Sequence, residues 1–164
     1  MEDVITRIQS IYKSLEHPDF HFVAESLRRQ PYDITIKQIK QTFEMEEDTD
    51  ANDDVSFGYL LRSTDQQEWI LRLSMVGPYA VVLRLSEGEL PEVIFPGKHS
   101  LTGQELKLFQ LLSAQGIRVL SQAELMHPVA LTLYNTDPSN VRLYQALFSD
   151  TDVLPWERAL GDNE

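Results

Sequence analysis

The sequence contains no cysteine, which removes disulfide staples, thiolate nucleophiles, iron–sulfur clusters and thiolate zinc sites together. Redox chemistry therefore leaves the compartment unfixed. Bases are scarce as well: 14 Lys and Arg stand against 26 Asp and Glu, a formal charge of −12. Phosphate backbones are bound mainly by neutralising them with Lys and Arg, so nucleic acid is not an expected partner. Long apolar runs are missing too. The longest, Trp69 to Leu85, is cut by Arg72, Ser74, Gly77, Pro78 and Arg84, so no membrane span is expected. The segment Met1 to Arg7 is acidic and amphipathic, whereas a secretory signal is basic and then apolar, and the expected location is cytoplasmic. The seven glycines are scattered, and no phosphate loop, dinucleotide fingerprint or Gly-x-Ser-x-Gly elbow occurs. No cofactor is expected.

What is present suffices for a folded core. The chain has 164 residues, 42% of them hydrophobic, and at this size folding buries about 68–70% of the unfolded chain's surface. Val4, Ile5, Ile8, Ile11, Tyr12 and Leu15 recur at three- and four-residue intervals, which predicts a helix from about Asp3 to Glu16. A second helix containing Phe22, Val23 and Leu27 is expected to end at Pro31, with an extended entry at Asp19 to Phe22 as the alternative. From Asp33 the period changes: Ile34 and Ile36 alternate with polar neighbours, and Ile39, Phe43 and Met45 continue an extended or bulged run. Val55, Phe57, Tyr59 and Leu61 alternate on the far side of an acidic block, so the two runs predict a hairpin. A second hairpin pairs Trp69 to Met75 with Tyr79 to Leu85 around Gly77-Pro78.

Val93 to Phe95, enclosed by prolines, predicts a short edge strand. Thr102-Gly103-Gln104-Glu105 has the capping-box spacing of a helix start, and Gly116 suits its end. Ile117 to Leu120 and Val129 to Tyr134 read as strands around a short helix capped by Ser121, and Asp137-Pro138 opens a helix through about Phe148. The expected architecture is one α+β domain over residues 1–156 and a flexible tail at 157–164. Its antiparallel sheet has about five to six strands, with N-terminal and C-terminal helices packed on it. Both faces of the central strands carry apolar residues, so the sheet is expected to be partly covered on each side.

Candidate chemistry is thin. Asp48, Asp50 and Asn52 begin like a calcium loop, but Asp53 and Tyr59 occupy the positions that need glycine and a bidentate Glu. His17 and His21 lie four apart, yet Pro18 interrupts any helix between them, and His99 and His127 fall in expected loops. No metal site is expected. Glu87 with Glu89, and Asp150 with Asp152, are acid pairs whose separation sequence does not give. No catalytic residue is assigned and an enzyme is not the expectation.

The acidic block is the feature that remains. Between Glu44 and Asp54 the chain carries seven acids and no base, a segment that must face water or a basic surface. Near the other end, Leu154 and Trp156 either fold back onto the core or anchor a contact. A small, cysteine-free, acidic chain without a catalytic motif resembles, in size, charge and missing chemistry, the immunity proteins that neutralise bacterial toxins. That resemblance implies a module that captures a basic protein partner, a toxin included, with Glu46, Glu47, Asp48, Asp50, Asp53 and Asp54 standing in for substrate phosphates and Tyr59 or Trp156 as anchors. Two alternatives stand beside it. A type III secretion chaperone is also small, acidic and α+β, and would form a homodimer; a small-molecule enzyme would enclose His21, His99 or His127 with a carboxylate in a deep pocket.

Overall fold

The strongest alternations in the chain form the middle of a sheet. In a computed structural model that describes residues 1–157, β2 (Ser56–Arg62), β3 (Glu68–Ser74) and β4 (Tyr79–Leu85) pair antiparallel in sequence order. β1 (Glu44–Glu47) adds to the free side of β2 as the outer strand. On the other side, β4 pairs antiparallel with β5 (Glu92–Val93) at one end and parallel with β6 (Arg118–Val119) at the other. The sheet thus has six strands, five of them antiparallel neighbours.

Side chains alternate across a strand, and each face of this sheet meets its own layer. Phe57, Leu61, Trp69, Leu71 and Leu73 point to one side, where Ile39 of α3 (Asp33–Lys40), Phe43 just after it, and Leu108 and Leu112 of α4 (Gly103–Ala114) cover them. Val81 and Leu83 point to the other, against Val4, Ile8 and Tyr12 of α1 (Glu2–Tyr12) and against α6 (Leu143–Leu147). The expected covering of both faces is present. α2 (His21–Arg29) packs Phe22 against both layers and Val23 and Leu27 against the layer that includes α3 and α4, and it ends where Gln30 turns left-handed ahead of Pro31.

Three expectations need correction. Residues Asp33–Lys40 are helix α3, not strand, because Thr35, Ile39 and Phe43 are buried at a spacing of four while Ile34 is left 66% exposed. Ile34 and Ile36, two residues apart, fall on different sides of the helix, so their alternation marks no sheet face. Val129 to Tyr134 is extended, with Val129, Leu131 and Leu133 turned inward, but it joins no ladder. Its amides are spent elsewhere: Val129 donates to the Val141 carbonyl and Thr132 to that of Leu15. The helix expected from Asp137 to Phe148 is split into a 3-10 turn at Pro138–Asn140 and the short α6. Val141, extended between them, is held by that bond from Val129.

Elsewhere local chemistry and structure agree. Thr102 and Glu105 form a reciprocal capping box on α4, as Ser121 and Glu124 do on α5 (Gln122–Leu125). The first helix stops earlier than its apolar stripe, at Tyr12, because Lys13 has φ of 68°. The expected tail lies outside the described residues except for Glu157.

A joint at the end of α6 positions the C-terminal segment. The last carbonyls of a helix lack intrahelical partners, and here three hydroxyls from other elements supply them. Tyr12 Oη donates to Ala146 O at 2.6 Å, Ser74 Oγ to Leu147 O at 2.7 Å and Ser56 Oγ to Phe148 O at 2.7 Å. Residues 148–152 are thereby fixed beside the loop joining β1 to β2.

Candidate functional site: an acidic cleft beside an exposed tyrosine

The β1–β2 loop carries the acidic block, and its backbone is closely tied. Asp50 N donates to Asp54 Oδ2 at 2.8 Å, Asp54 N returns a bond to Asp50 O at 2.7 Å, and Asn52 N donates to Asp50 Oδ1. Asp54 itself turns inward. It is 5% exposed, accepts from the Ser149 hydroxyl at 2.7 Å and pairs with Arg72 of β3 at 3.2 Å. Burial works against the charge on Arg72, yet Tyr144 and Asp54 beside it hold its pKa above the ordinary arginine value. The pair stitches loop, sheet and C-terminal segment together.

The C-terminal segment brings further acids to the same place. Asp150 N donates to Asp53 O at 2.9 Å. The Asp150 carboxylate, buried, accepts from the amides of Tyr134 and Asn135 and from the Thr136 hydroxyl. Asp152 is exposed and accepts from the Asp137 amide and the Asn140 side chain. Together the two segments enclose a cleft of about 550 Å³ lined by Asp48, Asp50, Asp53, Asp54, Asp150 and Asp152, with Arg72 as the one base among its lining residues. Four of these acids, Asp48, Asp50, Asp53 and Asp152, stand exposed, and Arg72 is already committed to buried Asp54. Among the described residues, nothing else compensates the negative charge the cleft presents.

Next to the cleft lies a hollow of about 360 Å³ of different character. Phe20, Val23, Ala24 and Leu27 form its α2 wall, and Ala51 to Val55 its loop wall. Tyr134 rises at its mouth, 86% exposed, tilted on Phe20 with ring centroids 5.8 Å apart. Phe20 is in turn held edge-on by Tyr12 at 5.5 Å, so the exposed tyrosine rests on an aromatic stack rooted in the core. Asn135 ties it to the acids by donating to Asp53 Oδ1 at 2.8 Å.

Among known proteins, no family model, curated protein or solved structure matches this chain.

The structure distributes the expected site residues unevenly. Asp48, Asp50 and Asp53 line the cleft, and Asp54 lines it from a buried, structurally paired position. Glu46 and Glu47 are exposed on the outer strand β1 and are not among the cleft's lining residues. Tyr59 is 5% exposed among the residues under α3 and α4, where burial and then the Glu47 charge push its phenol pKa up, and it offers no surface to a partner. Trp156 is half-buried and packs edge-on against Tyr144 at 5.4 Å, so it folds back on the core. Asp150, Asp152, Asn135 and Tyr134 are the residues that sequence reasoning missed. The Asp150 and Asp152 pair stood in plain view, but nothing in the sequence tied it to the acidic block across the 97 residues between Asp54 and Asp152. Among the described residues, no group of three or more His, Asp or Glu is arranged to hold a metal ion.

Proposed function

We propose that this chain is an acidic protein-binding module that captures a basic protein partner, in the manner of an immunity-type inhibitor of a bacterial toxin. The observation that carries the reading is the juxtaposition of four exposed, uncompensated aspartates with an aromatic ring that is 86% exposed. Clustered charge of one sign steers an oppositely charged protein and fixes its orientation. Tyrosine is enriched among the residues that dominate binding energy, because it offers rigid apolar area with a polar tip. Lysine or arginine side chains of the partner enter the cleft, while an apolar side chain fills the hollow between Tyr134 and α2. No reaction is assigned to the chain.

The experiment is affinity capture from the native cell with two baits, the wild-type protein and the variant Asp48→Asn/Asp50→Asn/Asp53→Asn/Asp152→Asn. The expected result is a basic protein retained by the first bait and depleted at least about tenfold on the second, the scale set by losing several steering charges. Equal recovery on both baits contradicts the role of the cleft.

A further inference from the structure

A third hollow has the opposite sign. It lies at the end of the sheet, where α1, α2, α3 and the turn between β3 and β4 meet, and it measures about 420 Å³, within the roughly 300–1,000 Å³ range of ligand pockets. In a chain with 26 acids, none of the residues lining this hollow is Asp or Glu, whereas Arg7 and Arg29 both line it. Arg28, Arg62, Arg72, Arg84 and Arg118 are paired with carboxylates. Arg7 and Arg29 have no carboxylate within 4.0 Å among the described residues, so their charge is free for a ligand.

The interior of the hollow is built for contact with an apolar body. Met75 and Ile117 are buried in its lining, and Ile34, exposed to 66%, stands on its wall. The floor is rigid: Tyr32 donates its hydroxyl to Ser74 O at 2.6 Å and shares it with Gly77 O at 2.9 Å, locking α3 to the β3–β4 turn. The Arg7 charge reaches this floor, since burial pushes the Tyr32 phenol up while Arg7 pulls it back. One polar group is also uncommitted. Thr35 is 4% exposed, lines the hollow and makes no side-chain hydrogen bond to a described residue.

We propose that this hollow binds a small organic anion with an apolar body, the charged head held by Arg7 and Arg29 and the body lodged against Ile34, Met75 and Ile117. Guanidinium groups recognise carboxylate, sulfonate and phosphate oxygens through charge-assisted hydrogen bonds, and the apolar lining supplies the burial that a small anion alone lacks. The site is independent of the acidic cleft. It uses different residues and a ligand of opposite charge.

The test uses two fluorescent probes on the full chain: 1-anilinonaphthalene-8-sulfonate, and N-phenyl-1-naphthylamine, which has the same rings without the sulfonate. The sulfonate probe is expected to bind the wild type at one site, and Arg7→Gln/Arg29→Gln to weaken it at least about tenfold, the loss of two charge-assisted contacts. The neutral probe should change by less than about twofold in that variant, since its apolar contacts remain. Ile34→Glu, at an exposed position that folding does not require, places a carboxylate at the mouth and should abolish binding of the sulfonate probe. No binding of that probe to the wild type overturns the proposal. So does equal affinity in wild type and Arg7→Gln/Arg29→Gln, or a parallel loss of both probes.

Discussion

At the scale of single residues, the acids of this chain divide into those that hold the fold and those that face water. Glu105 belongs to the first group. Fully buried, it accepts from Trp69 Nε1 at 2.8 Å, from Arg84 through both carboxylate oxygens and from the Thr102 amide. Burial alone would raise its pKa, but Arg84, Trp69 and Thr102 hold it at about 2. A carboxylate depressed in the folded state contributes stability above its unfolded pKa, and that contribution is lost as pH falls toward the folded value. Glu105→Gln should therefore cost about 3 kcal/mol at pH 7 by removing the buried carboxylate from Arg84, which keeps only the exposed Glu92 at 3.2 Å. In urea melts the gap to wild type should narrow as pH falls from about 4.5 toward about 2; a gap that stays constant would reject this account of Glu105. Asp54 also holds the fold, and Asp54→Asn should destabilise by about 2–3 kcal/mol because it strips the largely covered Arg72 of its counter-charge. Tyr134 is the contrasting case. Tyr134→Ala should alter stability by less than about 0.5 kcal/mol yet weaken binding of a captured partner by about 2 kcal/mol or more, and unfolding together with titration calorimetry separates the two.

At the scale of elements, β1 explains why the acidic block begins where it does. It is the outer strand, and the unpaired backbone groups of such an edge invite another chain to add on. Three of its four residues are glutamate, and charge along an edge opposes that addition. Glu44→Thr/Glu46→Thr/Glu47→Thr should accordingly self-associate more than the wild type in sedimentation velocity, and an unchanged distribution would remove this role from the strand. Legibility in the sequence follows the same physics of local pattern. The β3–β4 hairpin and the capping boxes at Thr102 and Ser121 are readable because the residues that specify them are neighbours in the chain. Helix α3 was misread because its eight residues contain only three isoleucines, at 34, 36 and 39, which fit alternation and helical spacing almost equally. The segment from Val129 to Tyr134 was misread because its inward alternation is genuine while its amide partners, at Leu15, Val141 and Asp150, are distant in sequence.

At the scale of the whole molecule, the charge of −12 is not spread evenly over the surface. One cleft gathers acids from two segments, and a separate hollow, with α2 contributing to its wall, holds two arginines without an acid. The first half of that pattern was legible as a run of acids between Glu44 and Asp54. Its completion by Asp150 and Asp152, and its apolar flank at Tyr134, depend on three hydroxyls that fasten the end of α6 to α1, β2 and β3, which no local pattern announces. Because the four exposed aspartates of the cleft pair with no base among the described residues, replacing them with asparagine relieves repulsion and keeps acceptor oxygens for the loop's bonds. Thermal unfolding of that variant should stay within about 4 °C of wild type, the shift that roughly 1 kcal/mol produces at this size. With folding so controlled, the most direct test of charge capture is the stopped-flow association rate of the captured partner with wild type and with the four-asparagine variant, measured from low to high salt. The account predicts a steep fall with salt for the wild type and a slower, flatter rate for the variant. Coincident rates and slopes for the two proteins would contradict it.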